Sequence, residues 1–131
     1  MFFIIICNNR YDQLMIKIAI LLREETSQKC TGSGCLKSFN QRSESFARYQ
    51  GIEIELVGFF HSGGDLDYKI QKMRDAGVDI IHVSTCMRAK YEDYDGLVHR
   101  LGKDFDVIGY THGSEEGKTR GTVSVIGKVS L

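Results

Sequence analysis

Short apolar runs alternate with amphipathic stretches along most of the chain. Four runs have the length and apolar content of strands buried in a parallel sheet, and they cover residues 16–22, 52–60, 79–84 and 105–110. Three stretches between them carry apolar residues at helical spacing, namely 35–49, 66–76 and 94–101. The resulting order, β-α-β-α-β-α-β, predicts a parallel sheet with helices on both faces.

The ends of the predicted helices carry ordinary start and stop signals. Each helix is followed by a glycine that can end it, namely Gly51, Gly77 and Gly102. Asp65 and Asp93 stand directly before the second and third helices, where an N-cap is expected. The pattern predicts a small Rossmann-like or flavodoxin-like α/β fold, an open and mostly parallel sheet of about four strands. The alternating stretch 121–131 is read either as a further strand or as a tail.

The opening residues, MFFIIICNNRYDQL, differ from the rest. Their apolar run ends at Cys7, far short of the ~20 residues of a membrane span. They also lack the basic region and the cleavage site of a signal peptide. A first core strand begins only after Met15, so residues 1–14 are predicted to be an N-terminal extension, with an added edge strand as the alternative. Residues 15–131 are then a single domain.

The charge balance and the cysteine content indicate which binding partners and which cellular compartment to expect. The 17 basic and 17 acidic residues balance, so no overall field attracts nucleic acid or an anionic membrane. The four cysteines are too few for a disulfide scaffold in a chain of 131 residues. We therefore expect reduced thiols and a cytoplasmic location, with a metal ion or a small molecule as the partner.

Residues able to do chemistry follow the predicted strands. In an open parallel sheet all βα loops gather at the carboxyl edge, and ligands bind there. The residues that fall on this edge are Cys30, Cys35, His61, Asp65, Cys86 and His112. Although they are scattered along the sequence, we expect them to converge in space.

Several of these residues also have a structural interpretation. Cys35 lies on the apolar stripe of its helix, and Cys86 follows a core strand, so either thiol can be a packed apolar group. Cys30 lies in a polar loop where burial is not expected. Asp65 is interpreted as an N-cap in preference to a ligand, which makes the segment HSGGD chiefly a turn. His82, within IIHVS, is predicted to be a core histidine.

Two familiar phosphate motifs are absent. The segment TGSGCLKS resembles a phosphate loop, but Leu36 rather than glycine precedes Lys37. Phosphotyrosine phosphatases need an arginine six residues after the cysteine, and that place holds Leu36 after Cys30 and Glu92 after Cys86.

Five segments in order resemble the CGGC domain family, and together they span residues 15–113. They are KIAILLRE, CTGSGCLKSF, IELVGFFHSGGD, GVDIIHVSTC and VIGYTHG. The family consists of small prokaryotic proteins that are suspected of binding zinc or another metal through cysteines and histidines, without an established biochemical role. The resemblance therefore implies a metal site.

The chain departs from the family at the motif that names it. Ser62-Gly63-Gly64-Asp65 stands where the family has Cys-Gly-Gly-Cys, and a further family cysteine after the third strand is also missing. Serine is a poor metal ligand, whereas aspartate is a hard one. What the resemblance implies here is a ligand set of Cys30, Cys35, Cys86 and His112, with His61 and Asp65 as additional candidates.

Three functions stay open at this point. The first is a metal-binding protein with zinc as the first candidate, since three cysteines and a histidine suit tetrahedral zinc, and an iron–sulfur centre as the second. The second is a thiol-dependent or small-molecule enzyme in which Cys30 or Cys86 acts with His61 or His112 as base. The third is a metal-free binding domain whose site has degenerated, with no cofactor. The sequence decides neither whether the protein is an enzyme nor its oligomeric state.

Overall fold

A computed structural model describes residues 15–129, and within them the chain folds as an α/β sheet with helices. The predicted extension, residues 1–14, lies outside the described residues. The elements in order are β1 (Ile16–Leu22), α1 (Glu24–Ser27), α2 (Ser33–Gln41), a 3₁₀ helix (Glu44–Tyr49), β2 (Ile54–His61), α3 (Leu66–Asp75), β3 (Ile80–Val83), α4 (Thr85–Lys90), α5 (Tyr94–Leu101) and β4 (Asp106–Ile108).

The four strands form one sheet in the order β2-β1-β3-β4, and all pairs are parallel. This matches the first four strands of the flavodoxin-like order. The connections leave β1 and β3 in opposite directions, so the topological switch point of the sheet lies between these two neighbouring strands. The predicted fold class is confirmed.

Strand β1 is the centre of the core because both of its faces are covered. Ala19 and Leu21 belong to the apolar cluster under α3, α4 and α5, while Ile18 and Ile20 belong to the cluster under α2 and the 3₁₀ helix. A strand buried on both faces reads as a continuous apolar run, which is why its bounds were predictable from the sequence. The helices lie on both faces, as predicted.

The segment predicted as one helix over residues 35–49 is two helices, so that prediction was wrong in its extent. Helix α2 ends at Gln41, because Arg42 and Glu44 both have positive φ, at 52° and 55°. The Arg42 guanidinium donates to the carbonyl oxygens of Tyr49 and Ile52, at 2.6 Å each. These bonds stabilise the change in chain direction after α2. The 3₁₀ helix follows immediately.

The alternating stretch near the end of the chain forms only one bridge to the sheet in the described residues. Val107 and Val125 pair in antiparallel fashion, with N···O distances of 2.7 and 2.9 Å. The segment thus lies along the outer edge of β4 without forming a strand there. Across residues 15–129, no helix is long and apolar enough to pass through a membrane.

Candidate functional site

The predicted site residues lie at the carboxyl edge of the sheet, around the switch point. Leu21 of β1 pairs with Val83 of β3, so these two strands end side by side. The loop with Cys30 follows β1, and Cys86 follows β3. His112 follows β4 at the same edge, so the loops that carry the two thiols and the imidazole meet there.

A chain of buried and partly buried contacts joins three of these loops. The Sγ atom of Cys35 lies 3.2 Å from the hydroxyl oxygen of Thr111, which is fully buried. The backbone N–H of Thr85 donates to that same hydroxyl, at 3.3 Å. The Thr85 hydroxyl in turn donates to the carbonyl of His112 at 2.6 Å and accepts from its N–H at 3.1 Å. Two threonine hydroxyls therefore fix the loop after β4 against α2 and α4.

The three thiols are close enough to interact electrostatically. Burial is the main cause that raises the pKa of the Cys35 thiol, and the hydrogen bond from Thr111 opposes it. Negative charge on Cys86 and on Cys30 raises the same pKa further. Cys30 and Cys86 therefore lie near enough to Cys35 for a negative charge on either of them to oppose its ionisation.

Each sulfur also has a contact of its own. Cys35 is buried, at 4% exposure, as its place on the apolar stripe predicted. Cys86 is half-buried, and its sulfur lies 2.8 Å from the hydroxyl of Ser84. Cys30 is exposed, as expected of a polar loop, and its sulfur accepts the N–H of Gly32 at 3.2 Å.

His112 lies against the first turn of α2. A Cβ atom added to Gly34 would be 3.3 Å from the imidazole, so glycine makes room for the ring at this point. The carboxylate of Glu44 accepts the N–H of Gly113 and holds the loop from the other side. The ring therefore lies next to the helix turn that carries Cys35.

The segment HSGGD is a structural turn, as predicted. Asp65 is the N-cap of α3, and its Oδ1 accepts the N–H of Tyr68 at 3.0 Å. Gly64 has a positive φ of 67°, which glycine adopts without strain. The ammonium of Lys69 donates to the carbonyls of His61 and Gly63 and closes the turn.

His61 and Ser62 are also used within or beside this turn. The Nδ1 atom of His61 accepts the N–H of Gly63 at 3.0 Å. The hydroxyl of Ser62 accepts the N–H of Glu24 at 3.1 Å, so it ties β2 to the start of α1. Neither side chain contacts the thiols in the described residues. The structure thus uses His61 and Asp65 within a turn of their own.

His82 is a core residue, as predicted, and it supports the floor of the site. Its ring stacks on Phe46 at 4.1 Å between centroids and is fully buried. Its Nδ1–H donates to the carbonyl of Tyr110 at 3.1 Å, and its Nε2 accepts the hydroxyl of Tyr49 at 2.7 Å. Burial lowers the pKa of His82 to about 3, so the ring stays neutral.

Ser45 extends this network to Thr111. Its hydroxyl donates to the carbonyl of Thr111 at 2.8 Å and lies 3.2 Å from Nδ1 of His82. Thr111 therefore holds Cys35 through its hydroxyl and the 3₁₀ helix through its carbonyl. Its sequence signal is weak, because it is one threonine between an apolar strand and a histidine.

No preformed metal site is found in the part of the chain that the structure describes. Within residues 15–129, no three side chains among the histidines, cysteines, aspartates and glutamates stand as a group that could hold a metal ion. Each of the three sulfurs instead lies next to a hydrogen-bond partner of its own, namely the N–H of Gly32 for Cys30, Thr111 for Cys35 and Ser84 for Cys86.

Comparison with known proteins gives one match. The model of the CGGC domain family matches residues 17–112, which is more than half of the chain. No curated protein and no solved structure matches the chain.

Proposed function

Because the chain belongs to the CGGC domain family, we propose that it binds a metal ion through Cys30, Cys35, Cys86 and His112. The observation that carries the proposal is the meeting of the loops after β1, β3 and β4 at the switch point, where Thr111 contacts both Cys35 and the backbone of Thr85 and the imidazole of His112 lies against the helix turn of Cys35.

The chemistry of the donor set favours zinc. Three thiolates and one imidazole form a Cys3His set, which suits tetrahedral zinc in sites that stabilise folds. Iron–sulfur clusters take four cysteine ligands as a rule, so they fit this set less well. A bound divalent cation would neutralise most of the negative charge that the thiolates bring together.

Loading the site requires the thiols to give up their present partners. The buried Cys35 must lose a proton, and burial opposes this by raising its pKa. A metal cation beside the sulfur offsets that cost, since metal binding and thiol deprotonation are coupled. The changes proposed are side-chain rotations of cysteines in a loop and at two helix starts, within an otherwise unchanged fold.

His61 and Asp65 have a peripheral role in this proposal. The Nδ1 atom of His61 and the Oδ1 atom of Asp65 each accept a backbone N–H, so binding a metal there would leave that N–H without its partner. We assign Asp65 to the helix cap and Ser62 to the contact with Glu24.

The test is elemental analysis of untagged protein purified without added metal, with an absorption spectrum of the same anaerobic sample. We expect about one zinc per chain and no visible colour. Cys86→Ser and His112→Gln should lower the metal content strongly. Cys7→Ser and His99→Gln serve as controls, because neither residue belongs to the proposed set, and they should leave it unchanged. Equal metal content in all four variants would contradict the assignment.

A thiol-dependent enzyme is the second candidate, and the exposure of Cys30 favours it. An exposed sulfur at the switch point is open to a small-molecule substrate, and the imidazole of His112 lies at the same edge of the sheet, against Gly34 of α2. The rate of alkylation at Cys30 should then fall in His112→Gln across pH 6–9 if the ring acts as base. If this rate is unchanged and no metal is found, the protein is a binding domain whose ancestral site has degenerated.

A further inference from the structure

A groove at the switch point, here called the switch-point groove, extends away from Cys30. Its larger part, of about 640 Å³, is lined by Arg23 and Glu25 on one side and by residues 90–93 on the other. A second part, of about 390 Å³, shares basic side chains with the first and extends along α1 to Lys29 and Cys30. Both volumes lie in the range of small-molecule binding sites.

The two ends of the switch-point groove differ in charge. The end at Cys30 carries three cations, Arg23, Lys29 and Lys90, against the single carboxylate of Glu25. The far end carries the carboxylates of the adjoining residues 92 and 93. The groove therefore changes from basic to acidic along its length.

These charges are mostly not neutralised within the groove. Arg23 pairs with Glu25 at 3.5 Å. For Lys90, Glu92 and Asp93 the described part of the chain holds no ion-pair partner within 4.0 Å. The ammonium of Lys90 and the carboxylates of Glu92 and Asp93 thus line one space without pairing with each other, as in a site whose ligand bridges them.

The wall that carries the carboxylates is held in place. The carbonyl of Tyr91 accepts from the Arg120 guanidinium at 2.6 Å, and the Tyr91 N–H donates to Met87 at 2.9 Å. Arg120 also packs on the ring of Tyr94 at 5.4 Å. On the opposite wall, Arg23 donates to the hydroxyl of Thr26 at 3.3 Å. Contacts within the chain therefore position the backbone of one wall and the Arg23 side chain of the other.

We propose that the switch-point groove binds a small zwitterionic molecule of the amino-acid or short-peptide class, with its carboxylate at the Cys30 end and its ammonium at the Glu92–Asp93 end. A simple anion such as phosphate is repelled by the two carboxylates, and a simple cation is repelled by the lysines. Only a ligand with separated charges of both signs satisfies both ends. The proposal does not depend on a bound metal.

Cys30 provides a chemical reporter at the basic end of the groove. Its thiolate attacks one sulfur of a symmetrical disulfide, the disulfide bond breaks, a mixed disulfide forms on Cys30, and the other half leaves as a thiolate. Three probes of similar size differ in charge: cystine is zwitterionic, cystamine is cationic and dithiodipropionate is anionic. Reaction at Cys30 is followed by mass spectrometry of its peptide, on reduced protein with a chelator present.

The rate for each probe with the folded protein is divided by its rate with the urea-unfolded protein. This ratio corrects for the intrinsic reactivity of each disulfide. We expect cystine to exceed both other probes by about threefold or more, as a pair of exposed ionic contacts allows. Lys90→Gln and Glu92→Gln should each reduce this preference, while Lys103→Gln, at the opposite edge of the sheet, should not. Rates that follow only the net charge of the probe, or a cystine preference unchanged by both groove variants, would overturn the proposal. Because the chelator excludes metal, either result leaves the metal assignment to its own test.

Discussion

The buried ring of His82 should make the protein lose stability as the pH falls from 7.5 to 5.5. In the folded state burial lowers the pKa of His82 to about 3, whereas an unfolded chain has a histidine pKa of about 6.5. Between these values the unfolded chain binds a proton that the folded chain does not bind. The contribution of His82 to the free energy of unfolding is therefore fully present above pH 6.5, and it decreases as the pH falls towards 3.

The size of the effect follows from the two pKa values. The decrease amounts to ~1.4 kcal/mol for each pH unit between them, and very little of it occurs above pH 6.5. From pH 7.5 to 5.5 the expected loss is thus about 1.4 kcal/mol. For a domain of this size each kcal/mol corresponds to ~3–5 °C, so the melting temperature should fall by ~4–7 °C from this group alone.

The assay compares urea unfolding at the two pH values in the wild type, His82→Asn and Tyr49→Phe. The asparagine removes the titrating ring, so its pH-dependent loss should be smaller than that of the wild type by about 1.4 kcal/mol. Tyr49→Phe removes the 2.7 Å bond to Nε2 of His82 but keeps the ring buried. It should lower stability at both pH values by ~1 kcal/mol and keep the pH dependence.

Equal pH dependence in the wild type and in His82→Asn would contradict this prediction. That result would mean that the ring is protonated in the folded state near its ordinary pKa. The other three histidines are present in all of these proteins, so their titration cancels in the comparison.

Three further predictions concern the turn and the site. Asp65→Ala should cost ~0.5–2 kcal/mol in urea unfolding as a lost cap, with metal content unchanged; loss of metal without loss of stability would make Asp65 a ligand. Gly34→Ala should leave the stability of the metal-free protein unchanged or raise it by up to ~1 kcal/mol, since alanine favours a helix, but it should weaken zinc binding because the added Cβ displaces His112. A zinc titration with unchanged affinity would show that the ring is not a ligand. Thr111→Val should lower the stability by ~1–3 kcal/mol in thermal unfolding because it leaves the N–H of Thr85 unpaired, whereas Thr111→Ser should retain most of the wild-type stability. A serine variant as unstable as the valine variant would assign the loss to packing.

The parts of the fold that the sequence predicted are those with one dominant physical cause. The bounds of β1 were correct because burial on both faces requires apolar side chains throughout, and α5 was correct because its apolar stripe is bounded by Asp93 and Gly102. The division of residues 35–49 into two helices was not predictable. It depends on positive φ at Arg42 and Glu44, and neither residue type favours that conformation.

The candidate site likewise has features that the sequence predicts and features that it does not. Topology alone brings the loops after β1, β3 and β4 to one edge, so the placement of Cys30, Cys86 and His112 on that edge could be expected from strand order. The contacts of Thr85 with Thr111 join residues 26 positions apart and depend on side-chain torsions, which no periodicity reports. The separation of His61 from the thiols has a similar origin, since Lys69 and Gly63 bind it within its own turn.

The shared ligand set of Cys30, Cys35, Cys86 and His112 is tested most directly by the absorption spectrum of the protein titrated with cobalt(II) under anaerobic conditions. Cobalt replaces zinc in tetrahedral sites, and its ligand-field and thiolate charge-transfer bands report geometry and the number of thiolates. We predict that both sets of bands saturate at about one cobalt per chain, and that charge-transfer intensity falls by about a third or more in Cys30→Ser, Cys35→Ser and Cys86→Ser alike. Bands that fail to develop, or that persist at full intensity when any one of these cysteines is replaced, would contradict it.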